Sequence, residues 1–547
     1  MTNCKEIDEY IEIVLKKEYP VCKEQLQLIE YLERIFSTED LRIDREQLEK
    51  YMALQKYFDY ELFPWEKFLF ALHNCVYDTE GMLRWPDLFA MLGRGAGKNG
   101  YLAFEDFALL TPVNGIEEYN IDIFANSEDQ AKTTFMDIYG VLEAHKSKMA
   151  KHFKWNLEVI TNLKTNSSLR FKTSNPKTKD GGRPGKVDFD EYHQYETYKT
   201  IEVAKTGLGK KPLPRTTIVT TQGDVRDGPL DHLLSRAEGI LEGQIPDNGL
   251  LPFIARLDDK KEVDNPLMWH KANPSLRYFR TLQKQMEREY ADYKQDNLGN
   301  SSFMTKRMNR PIGDAECGVT DWENIKATAR ELPNLEHYSC IGGLDYSKTN
   351  DFVAAGLLFE LDDYWYWITH SWVCRQTKDW SRIKFPIEEA QAKGLLTVVN
   401  AVEIPPELVA DWFAQKAEKY NIVAIAYDNF RHTLIEKALR GAGFDADKDG
   451  NNNIKLIRPS DIMKVAPLIT SQFANRRIVW GENPLMRWYT QNTKQMLDTR
   501  GNVTYGKIEP KSRKTDGFMA MVAAATQINS IQGWNNSQDD ILDVYTY

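Results

Sequence analysis

The chain has 547 residues, which is too long for one ordinary hydrophobic core and predicts two or more domains. Hydrophobic residues make up 42% of it and the formal net charge is −10, as in a globular protein, so charge alone does not indicate a nucleic-acid binder. No apolar run approaches the roughly 20 residues that a membrane span requires, and the charged N-terminal sequence does not predict a signal peptide.

The sequence contains six cysteines, with no CxxC pair and no His-Cys spacing of a zinc site. This pattern predicts reduced, buried thiols and a cytoplasmic protein. The cysteines are Cys4, Cys22, Cys75, Cys317, Cys340 and Cys374.

The first part of the chain alternates predicted helices and strands. Residues 1–55 have the apolar spacing of amphipathic helices and are expected to form an N-terminal helical segment. An apolar strand at 87–92 is followed by a glycine loop and by a helix that stops at Pro112. A second strand comes next, and Ser127 with Gln130 gives the following helix the start signature of a capping box.

Two more strands, KVDFDE at 186–191 and RTTIVTTQG at 215–223, complete an alternation that favours a parallel sheet. Residues 56–260 are therefore predicted to form an α/β domain. Proline breaks and charged helical stretches at 261–335 are typical of a helical connector between domains.

The second part of the chain begins with three strand-like runs, separated by turns short enough for an antiparallel meander. A helix, the strand IVAIAYDN and further helices follow, so residues 336–530 are predicted to form a second α/β domain with a mixed sheet. The polar, acidic tail at 531–547 is expected to be flexible.

The glycine loop MLGRGAGKNG has the composition of a phosphate-binding loop. Gly95 and Gly97 allow backbone N–H groups to turn onto phosphate oxygens, and Lys98 can reach the outer phosphates. The following helix would add the positive end of its dipole. Leu92 and Asn99 stand where the motif has glycine and Ser or Thr, so a glycine-rich turn without a ligand is the alternative interpretation.

An acid pair favours the nucleotide interpretation. Asp190 and Glu191 end an apolar strand, as expected if the first carboxylate holds magnesium and the second orients the attacking water, although acids at strand ends are also common on protein surfaces. Arg94 is either a group that stabilises charge on the γ-phosphate or a solvated loop arginine. The strand end Thr220–Gln222 is either a γ-phosphate sensor or a plain polar terminus.

Three aspartates are distributed along the second domain as in a ribonuclease-H-like site. Asp345 lies in the first strand of the meander, Asp428 ends a later strand, and Asp516 opens a helix that can pack on the sheet. Close carboxylates repel one another, so two magnesium or manganese ions roughly 4 Å apart are expected to neutralise them and clamp a scissile phosphate. Each aspartate alone also fits a strand-end or capping role, and Asp351 is an accessory candidate.

Positive residues accumulate around these aspartates and predict binding to DNA phosphates, with an affinity that falls as salt rises. A solvated basic face is the alternative. The residues are Lys455, Arg458, Lys464, Arg476, Arg477, Arg487, Lys494, Arg500, Lys507, Lys511, Arg513 and Lys514.

The ordered motifs GRGAGKN, VDFDE, TTQG, WHKANPSL, GGLDYSKTND, AYDN and KTDGFMA resemble the large terminase subunit of tailed bacteriophages. The stretch LFPWEKFLF is similar to that family's adenine-side segment, with Glu66 where glutamine is common. The resemblance implies an N-terminal P-loop ATPase domain of the RecA or ASCE type with a mainly parallel sheet. It also implies a C-terminal ribonuclease-H-like nuclease domain.

The resemblance implies roles for single residues. Arg94 would act in cis on the phosphates, Asp190 would hold magnesium, and Glu191 would be the catalytic base. The implied nuclease metal ligands and catalytic residues are Asp345, Asp428 and Asp516. The implied nucleotide contacts are Gly93, Arg94, Gly95, Ala96, Gly97, Lys98, Asn99, Asp190, Thr221 and Gln222.

Such a protein would use ATP with one magnesium ion to move double-stranded DNA into a procapsid, and two magnesium or manganese ions to cut the DNA concatemer. The implied partners are a portal protein, a small terminase subunit and further copies in a ring, in the host cytoplasm and without a membrane. The alternatives are a DNA-repair or restriction ATPase fused to a nuclease, for which a second phosphate loop is missing, and a degenerate ATPase that serves as an adaptor.

Overall fold

The computed structural model describes residues 2–173, 182–223, 225–296, 300–311, 318–347, 352–377, 379–447, 450–497, 501–508 and 513–531. The chain divides into two compact units, Met1–Ile312 and Gly313–Tyr547. The described cysteines are buried free thiols, as predicted. Of the predicted residues, Asp351, Cys317, Arg500, Lys511 and the tail from residue 532 lie outside the described residues. Among the described helices, none is both long and apolar enough to cross a bilayer.

The first unit is an α/β domain, as the alternating pattern predicts. Its helices are α1 (Lys5–Leu15), α2 (Lys23–Thr38), α3 (Arg45–Met52), α4 (Pro64–Cys75), α5 (Lys98–Leu110), α6 (Glu128–Ala144), α7 (Lys146–Met149), α8 (Lys199–Thr206), α9 (Pro229–Leu241) and α10 (Arg280–Gln295). Its strands are β1 (Arg42–Ile43), β2 (Val76–Tyr77), β3 (Asp87–Met91), β4 (Ile121–Ala125), β5 (Phe153–Trp155), β6 (Val159–Asn162), β7 (Ser168–Thr173), β8 (Lys186–Phe189), β9 (Arg215–Thr220) and β10 (Leu250–Ile254).

The described strands of this unit form a sheet in the order β10-β3-β9-β8-β4-β7-β6-β5, beside a small β1-β2 pair. Neighbouring strands from β10 to β7 pair in parallel, whereas β6 and β5 are added antiparallel. The strand that ends in TTQG therefore lies beside the strand that ends in the acid pair, as predicted. Because parallel strands share one carboxyl edge, the loops after β3, β8 and β9 meet there.

Local sequence signals set the ends of the helices around this edge. Gly97 has φ 107°, a left-handed conformation that suits glycine, and α5 begins directly after it. The helix ends at Leu110, and the hydroxyl of Thr111 caps the turn that starts at Pro112. Helix α6 begins after Ser127, whose hydroxyl accepts a hydrogen bond from the N–H of Gln130 at 3.3 Å. The predicted strand, loop and helix succession is confirmed.

The N-terminal helices share the hydrophobic core of the sheet. The ring of Tyr10 on α1 contacts that of Phe68 on α4, with centroids 4.8 Å apart. The thiol of Cys22 donates to the carbonyl of Ile254 at the end of β10, at 3.1 Å. The buried residues of α1, α2 and the sheet belong to one continuous cluster, so these helices stabilise the same core that positions the loops.

A fully buried charge cluster connects helix α5 to strand β8. The ammonium of Lys186 lies 2.9 Å from Glu105, 2.5 Å from Asp106 and 2.7 Å from Asp188. Thr217 on β9 donates a further hydrogen bond to Glu105 at 2.8 Å. Burial raises the pKa of Asp106 and of Asp188 despite the neighbouring ammonium, so one ammonium and three carboxyl groups coexist without solvent.

We expect Lys186→Met to lower the free energy of unfolding by about 3–5 kcal/mol, because it leaves buried carboxylates without their cation. Urea denaturation followed by circular dichroism measures this. The matched control is Lys205→Met, which removes a partly exposed pair with Asp87 and should cost less than about 1 kcal/mol. Equal stability of the two variants would contradict the role given to the buried cluster.

The second unit is also α/β, with a mixed sheet as predicted. Its helices are α11 (Trp322–Lys326), α12 (Ile387–Ala392), α13 (Pro406–Ala417), α14 (His432–Gly441), α15 (Pro459–Ala474), α16 (Pro484–Gln491) and α17 (Asp516–Ala525). Its strands are β11 (Ser339–Asp345), β12 (Val353–Leu361), β13 (Tyr364–Cys374), β14 (Leu396–Val399), β15 (Asn421–Asp428), β16 (Ile454–Ile457), β17 (Ile478–Val479), β18 (Thr493–Leu497) and β19 (Val503–Lys507).

The described strands of this sheet follow the order β14-β13-β12-β11-β15-β16, with β17 beside β13, and β18 pairs with β19 separately. Strands β11, β12 and β13 form the predicted antiparallel meander. Strands β15 and β16 continue the sheet in parallel with β11. Two hydrophobic clusters cover its two faces, and α17 belongs to one of them.

Candidate nucleotide and nuclease sites

The phosphate loop is held from outside by the segment that the sequence predicts to be a connector. The N–H of Gly93 donates to the carbonyl of Ala272 at 2.8 Å, and the N–H of Arg94 donates to that of Lys306 at 2.7 Å. The guanidinium of Arg307 donates to the carbonyl of Arg94 at 2.7 Å. The first part of this segment, up to residue 311, thus lies in the first unit and forms part of the loop's surroundings.

Two side chains fix the end of the loop near α5. The hydroxyl of Ser275 donates to the carbonyl of Ala96 at 2.6 Å and accepts a hydrogen bond from the indole of Trp65 at 2.8 Å. Glu66 is buried, and its carboxylate accepts a hydrogen bond from the N–H of Phe63 at 2.8 Å. Burial raises the pKa of Glu66 to about 8. The predicted adenine-side segment therefore borders the loop.

Lys98 is the buried cation of the loop. Its ammonium donates to the carbonyl of Leu92 at 3.2 Å and to that of Gly93 at 3.3 Å. Burial lowers the pKa of Lys98 to about 8, while the charges of Glu191 and Asp190 oppose this shift. The lysine and the acid pair, which are far apart in sequence, are electrostatic neighbours in the fold.

The acid pair lies at the end of β8. Asp190 is buried, and its carboxylate accepts a hydrogen bond from the N–H of Glu191 at 2.8 Å. Burial and the charge of Glu191 raise the pKa of Asp190 to about 7. Burial also raises the pKa of Glu191, but the hydrogen bond and charge of His193 and the charge of Lys98 outweigh it and hold this pKa at about 2. The two acids therefore have different environments.

The predicted sensor, Thr220–Gln222, is buried at the end of β9. The hydroxyl of Thr220 accepts a hydrogen bond from the N–H of His193 at 3.0 Å. The N–H of Gln222 donates to the side-chain carbonyl of Asn309 at 2.9 Å. The strand end is thus connected both to the segment after the acid pair and to the predicted connector.

The remaining predicted loop residues differ in exposure. Arg94 and Gly95 are exposed, whereas Asn99 is half-buried in the first turn of α5. A carboxylate such as Asp190 and an amide oxygen such as that of Asn99 are hard oxygen donors of the kind that magnesium accepts. Buried Asp190 beside the lysine fits a magnesium ion that accompanies a nucleotide.

Several residues of this site carry no signal in the sequence. His193, Lys306, Arg307 and Asn309 lie in no motif, and the last three are more than 200 residues from the loop that they surround. The segment WHKANPSL was the one pointer to this part of the chain. Only the folded chain brings these side chains to the loop and to the acid pair.

In the second unit, two of the predicted aspartates end neighbouring parallel strands. Leu344 pairs with Tyr427, so Asp345 and Asp428 each come one residue later along β11 and β15. Side chains alternate along a strand, and the residues two positions earlier, Gly343 and its partner Ala426, lie on the face covered by α17. The alternation directs both aspartates to that same face. Asp428 is exposed.

Helix α17 brings the third aspartate to this edge. A Cβ atom on Gly343 would lie 2.0 Å from the carbonyl of Ala520, so only glycine permits this close approach of helix and strand. Asp516 is one turn earlier and is buried. Burial raises the pKa of Tyr489, and the charges of Asp516 and then Asp345 add to this, so both carboxylates are electrostatic neighbours of this tyrosine.

The described residues contain no group of three or more His, Cys, Asp or Glu side chains already arranged to hold a metal ion. Magnesium is commonly held by one or two carboxylates together with phosphates of its substrate, and the carboxylates of Asp345 and Asp516 fit such a site. Of the predicted basic residues, Arg487 pairs with Glu482 at 2.7 Å and is buried, as is Lys514. Because both are buried, these two fit neither the predicted contact with DNA phosphates nor the alternative of a solvated basic face.

We expect Gly93→Ala to weaken nucleotide binding, since a Cβ there would lie 2.3 Å from the carbonyl of Arg307 and displace the loop. Overpacking of this kind costs about 1–3 kcal/mol, so titration with a fluorescent ATP analogue should show an affinity loss of about tenfold or more. Gly140→Ala in α6 is the control, because its Cβ would meet no atom within 4 Å. If the Gly93→Ala and Gly140→Ala variants bound the analogue with equal affinity, the close contact between Gly93 and Arg307 would be contradicted.

Comparisons with known proteins assign the family. The model of the terminase large subunit ATPase domain matches residues 64–239, and that of the terminase large subunit endonuclease domain matches residues 244–531.

Individual relatives are more distant. The terminase large subunit of Lactococcus phage p2 is 23% identical over 454 residues, covering 80% of this chain and 81% of that protein. Protein YmfN of Escherichia coli strain K12 is 23% identical over 363 residues, covering 63% and 77%. The crystal structure of the HK97 bacteriophage large terminase covers 88% of this chain and 99% of its own, at 18% identity and a TM-score of 0.48. With both domain models matched, the chain belongs to the terminase large subunit family and carries an ATPase domain and an endonuclease domain.

Proposed function

We propose that this chain hydrolyses ATP to translocate double-stranded viral DNA into a procapsid, and that it cuts concatemeric DNA by a two-metal reaction. The single observation that supports the motor best is the meeting of the loop lysine, the acid pair and the sensor at one carboxyl edge of a parallel sheet. Family membership favours packaging over a repair or restriction enzyme and over a degenerate adaptor.

In the ATPase site, the backbone N–H groups of Gly95, Gly97 and Lys98 bind the phosphates, and the ammonium of Lys98 contacts the outer ones. Asp190, with Asn99 in place of the usual Ser or Thr, holds the magnesium ion, which would offset phosphate charge. Glu191 accepts the proton of the attacking water, and exposed Arg94 stabilises charge that develops on the γ-phosphate. The nucleotide contacts that we propose are Gly93, Arg94, Gly95, Ala96, Gly97, Lys98, Asn99, Asp190, Thr221 and Gln222.

In the nuclease site, Asp345, Asp428 and Asp516 hold two magnesium or manganese ions, which together would polarise a scissile phosphate and a water molecule. The common sheet face of the first two aspartates and the helix start of the third support this set. The surrounding exposed lysines and arginines bind DNA phosphates without reading sequence.

For packaging, the proposed partners are double-stranded DNA, a portal protein and a small terminase subunit. We propose that several copies of the chain form a ring during translocation, in the host cytoplasm and on the procapsid, and leave before the virion matures. Membership of the terminase large subunit family supports these proposals. The domain limits that we propose remain those predicted from sequence, with the ATPase at 56–260 and the nuclease at 336–530.

We expect Lys98→Ala to lower the kcat of ATP hydrolysis by about 10²–10³-fold, because it removes a charge directed at the transferring phosphate. A phosphate-release assay on the full chain measures this. Lys146→Ala is the control, since that lysine is a surface residue paired with Glu143. Unchanged turnover in the Lys98 variant would favour the adaptor alternative instead.

We expect Asp345→Asn to abolish metal-dependent DNA cleavage, because an amide binds a divalent cation less strongly than a carboxylate does. ATP hydrolysis should stay within about twofold, since the ATPase residues belong to the other unit. Plasmid cleavage with magnesium or manganese, together with ATP turnover, gives both readouts. Asp363→Asn, in an exposed turn, is the matched control. Retained cleavage, or the loss of both activities in a folded variant, would contradict the assignment.

A further inference from the structure

His193 connects the acid pair to the segment that holds the phosphate loop. Its Nδ1 atom lies 3.0 Å from Oε2 of Glu191, and its Nε2 atom lies 2.6 Å from the ammonium of Lys306. The imidazole of His193 is buried. A Cβ atom added to Gly223 would lie 2.7 Å from the Cβ atom of His193, so the ring has little room to move. The contacts form a continuous path from Lys306 to Glu191.

The donor chemistry of lysine fixes the tautomer of this histidine. An ammonium group only donates hydrogen bonds, so Nε2 of His193 accepts from Lys306 and carries no proton. The proton of the neutral ring is therefore on Nδ1, which lies 3.0 Å from Oε2 of Glu191 and 3.2 Å from the hydroxyl oxygen of Thr220. A base whose orientation is set by a neighbouring group, itself oriented by a third, is the arrangement that activates residues in many active sites.

The same histidine contacts the predicted sensor strand. The hydroxyl of Thr220 accepts from the backbone N–H of His193 at 3.0 Å and lies 3.2 Å from Nδ1. This hydroxyl donates its own hydrogen to the carbonyl of Thr221 at 2.7 Å. His193 is thus the point at which the end of β8, the end of β9 and Lys306 meet.

The position of Lys306 is itself well defined. It belongs to the π-helical turn Phe303–Arg307, whose first three residues are buried. Its carbonyl accepts from the N–H of Arg94 at 2.7 Å, and Arg307 pairs with Glu289 of α10 at 2.6 Å. A displacement of this turn would therefore reach the phosphate loop through the backbone and Glu191 through the side chain.

We propose that His193 is a positioning residue for ATP hydrolysis, which orients the carboxylate of Glu191, and that Lys306 acts through His193 by fixing its tautomer. The inference rests on the proposed role of Glu191 as the base. It assigns to the turn at 303–307 a direct influence on the hydrolytic step, separate from its backbone contact with the phosphate loop.

Steady-state ATP hydrolysis by the full chain tests this inference, with kcat and KM determined for each variant. We expect His193→Ala to lower kcat about 10–100-fold and to change KM by less than about threefold, because a misplaced catalytic group slows the reaction without weakening substrate binding. His193→Asn keeps an amide near the position of Nδ1 and should recover part of the loss.

The Lys306 variants test whether the lysine acts through the histidine. We expect Lys306→Met to lower kcat about 3–10-fold in the natural sequence and to have no further effect in the His193→Asn background, where no Nε2 atom remains. Lys306→Arg should retain most activity. Lys294→Met is the matched control, because that lysine is on α10 and forms an exposed pair with Asp264.

The outcomes separate this inference from the proposed function. If Glu191→Gln keeps its turnover, the base assignment fails and the inference fails with it. If Glu191→Gln is inactive while His193→Ala retains full kcat, only the inference is overturned. Additive losses in the double variant, or a rise in KM as large as the fall in kcat, would show a merely structural contribution and would also overturn it.

Discussion

The parallel pairing of β3, β9 and β8 is the constraint on which the nucleotide site depends. Because β9 pairs with β3 on one side and with β8 on the other, the phosphate loop, the sensor and the acid pair leave the sheet at the same edge. At the other end of β8, Lys186 contacts three buried carboxyl groups, two of them on the helix that follows the loop. The loop and the acids are therefore connected through the sheet as well as across the site.

The loop is also held from the outside, by a segment that comes long after it in sequence. Backbone hydrogen bonds from Gly93 to Ala272 and from Arg94 to Lys306 leave the loop in contact with this segment on its outer side. The second unit is built in a similar way: neighbouring parallel strands end in Asp345 and Asp428, and α17 packs closely enough to place its own first residue at the same edge of the sheet. In both units, the candidate catalytic residues follow buried elements that are fixed by packing.

Local signals made much of this predictable from sequence. Glycine spacing predicted the loop, and Pro112 predicted the end of the helix after it. Apolar runs that end in acids predicted the strands and the order of the motifs. The charge cluster at Lys186 was not predictable, because a lysine at the start of a strand normally predicts a solvent-exposed side chain, and the burial of Arg487 and Lys514 was not predictable for the same reason. The contact of His193 with Lys306 depends on folding across more than 100 residues, for which the sequence gives no local signal.

We propose that the loop at 93–98 and the acid pair at 190–191 form one magnesium-nucleotide site. The most direct measurement is a crystal structure with a slowly hydrolysed ATP analogue and manganese, which anomalous scattering locates without ambiguity. We expect a terminal phosphate on the N–H groups of Gly95, Gly97 and Lys98, with a manganese peak between this phosphate and Asp190. A nucleotide bound elsewhere, or a manganese ion remote from Asp190, would contradict it.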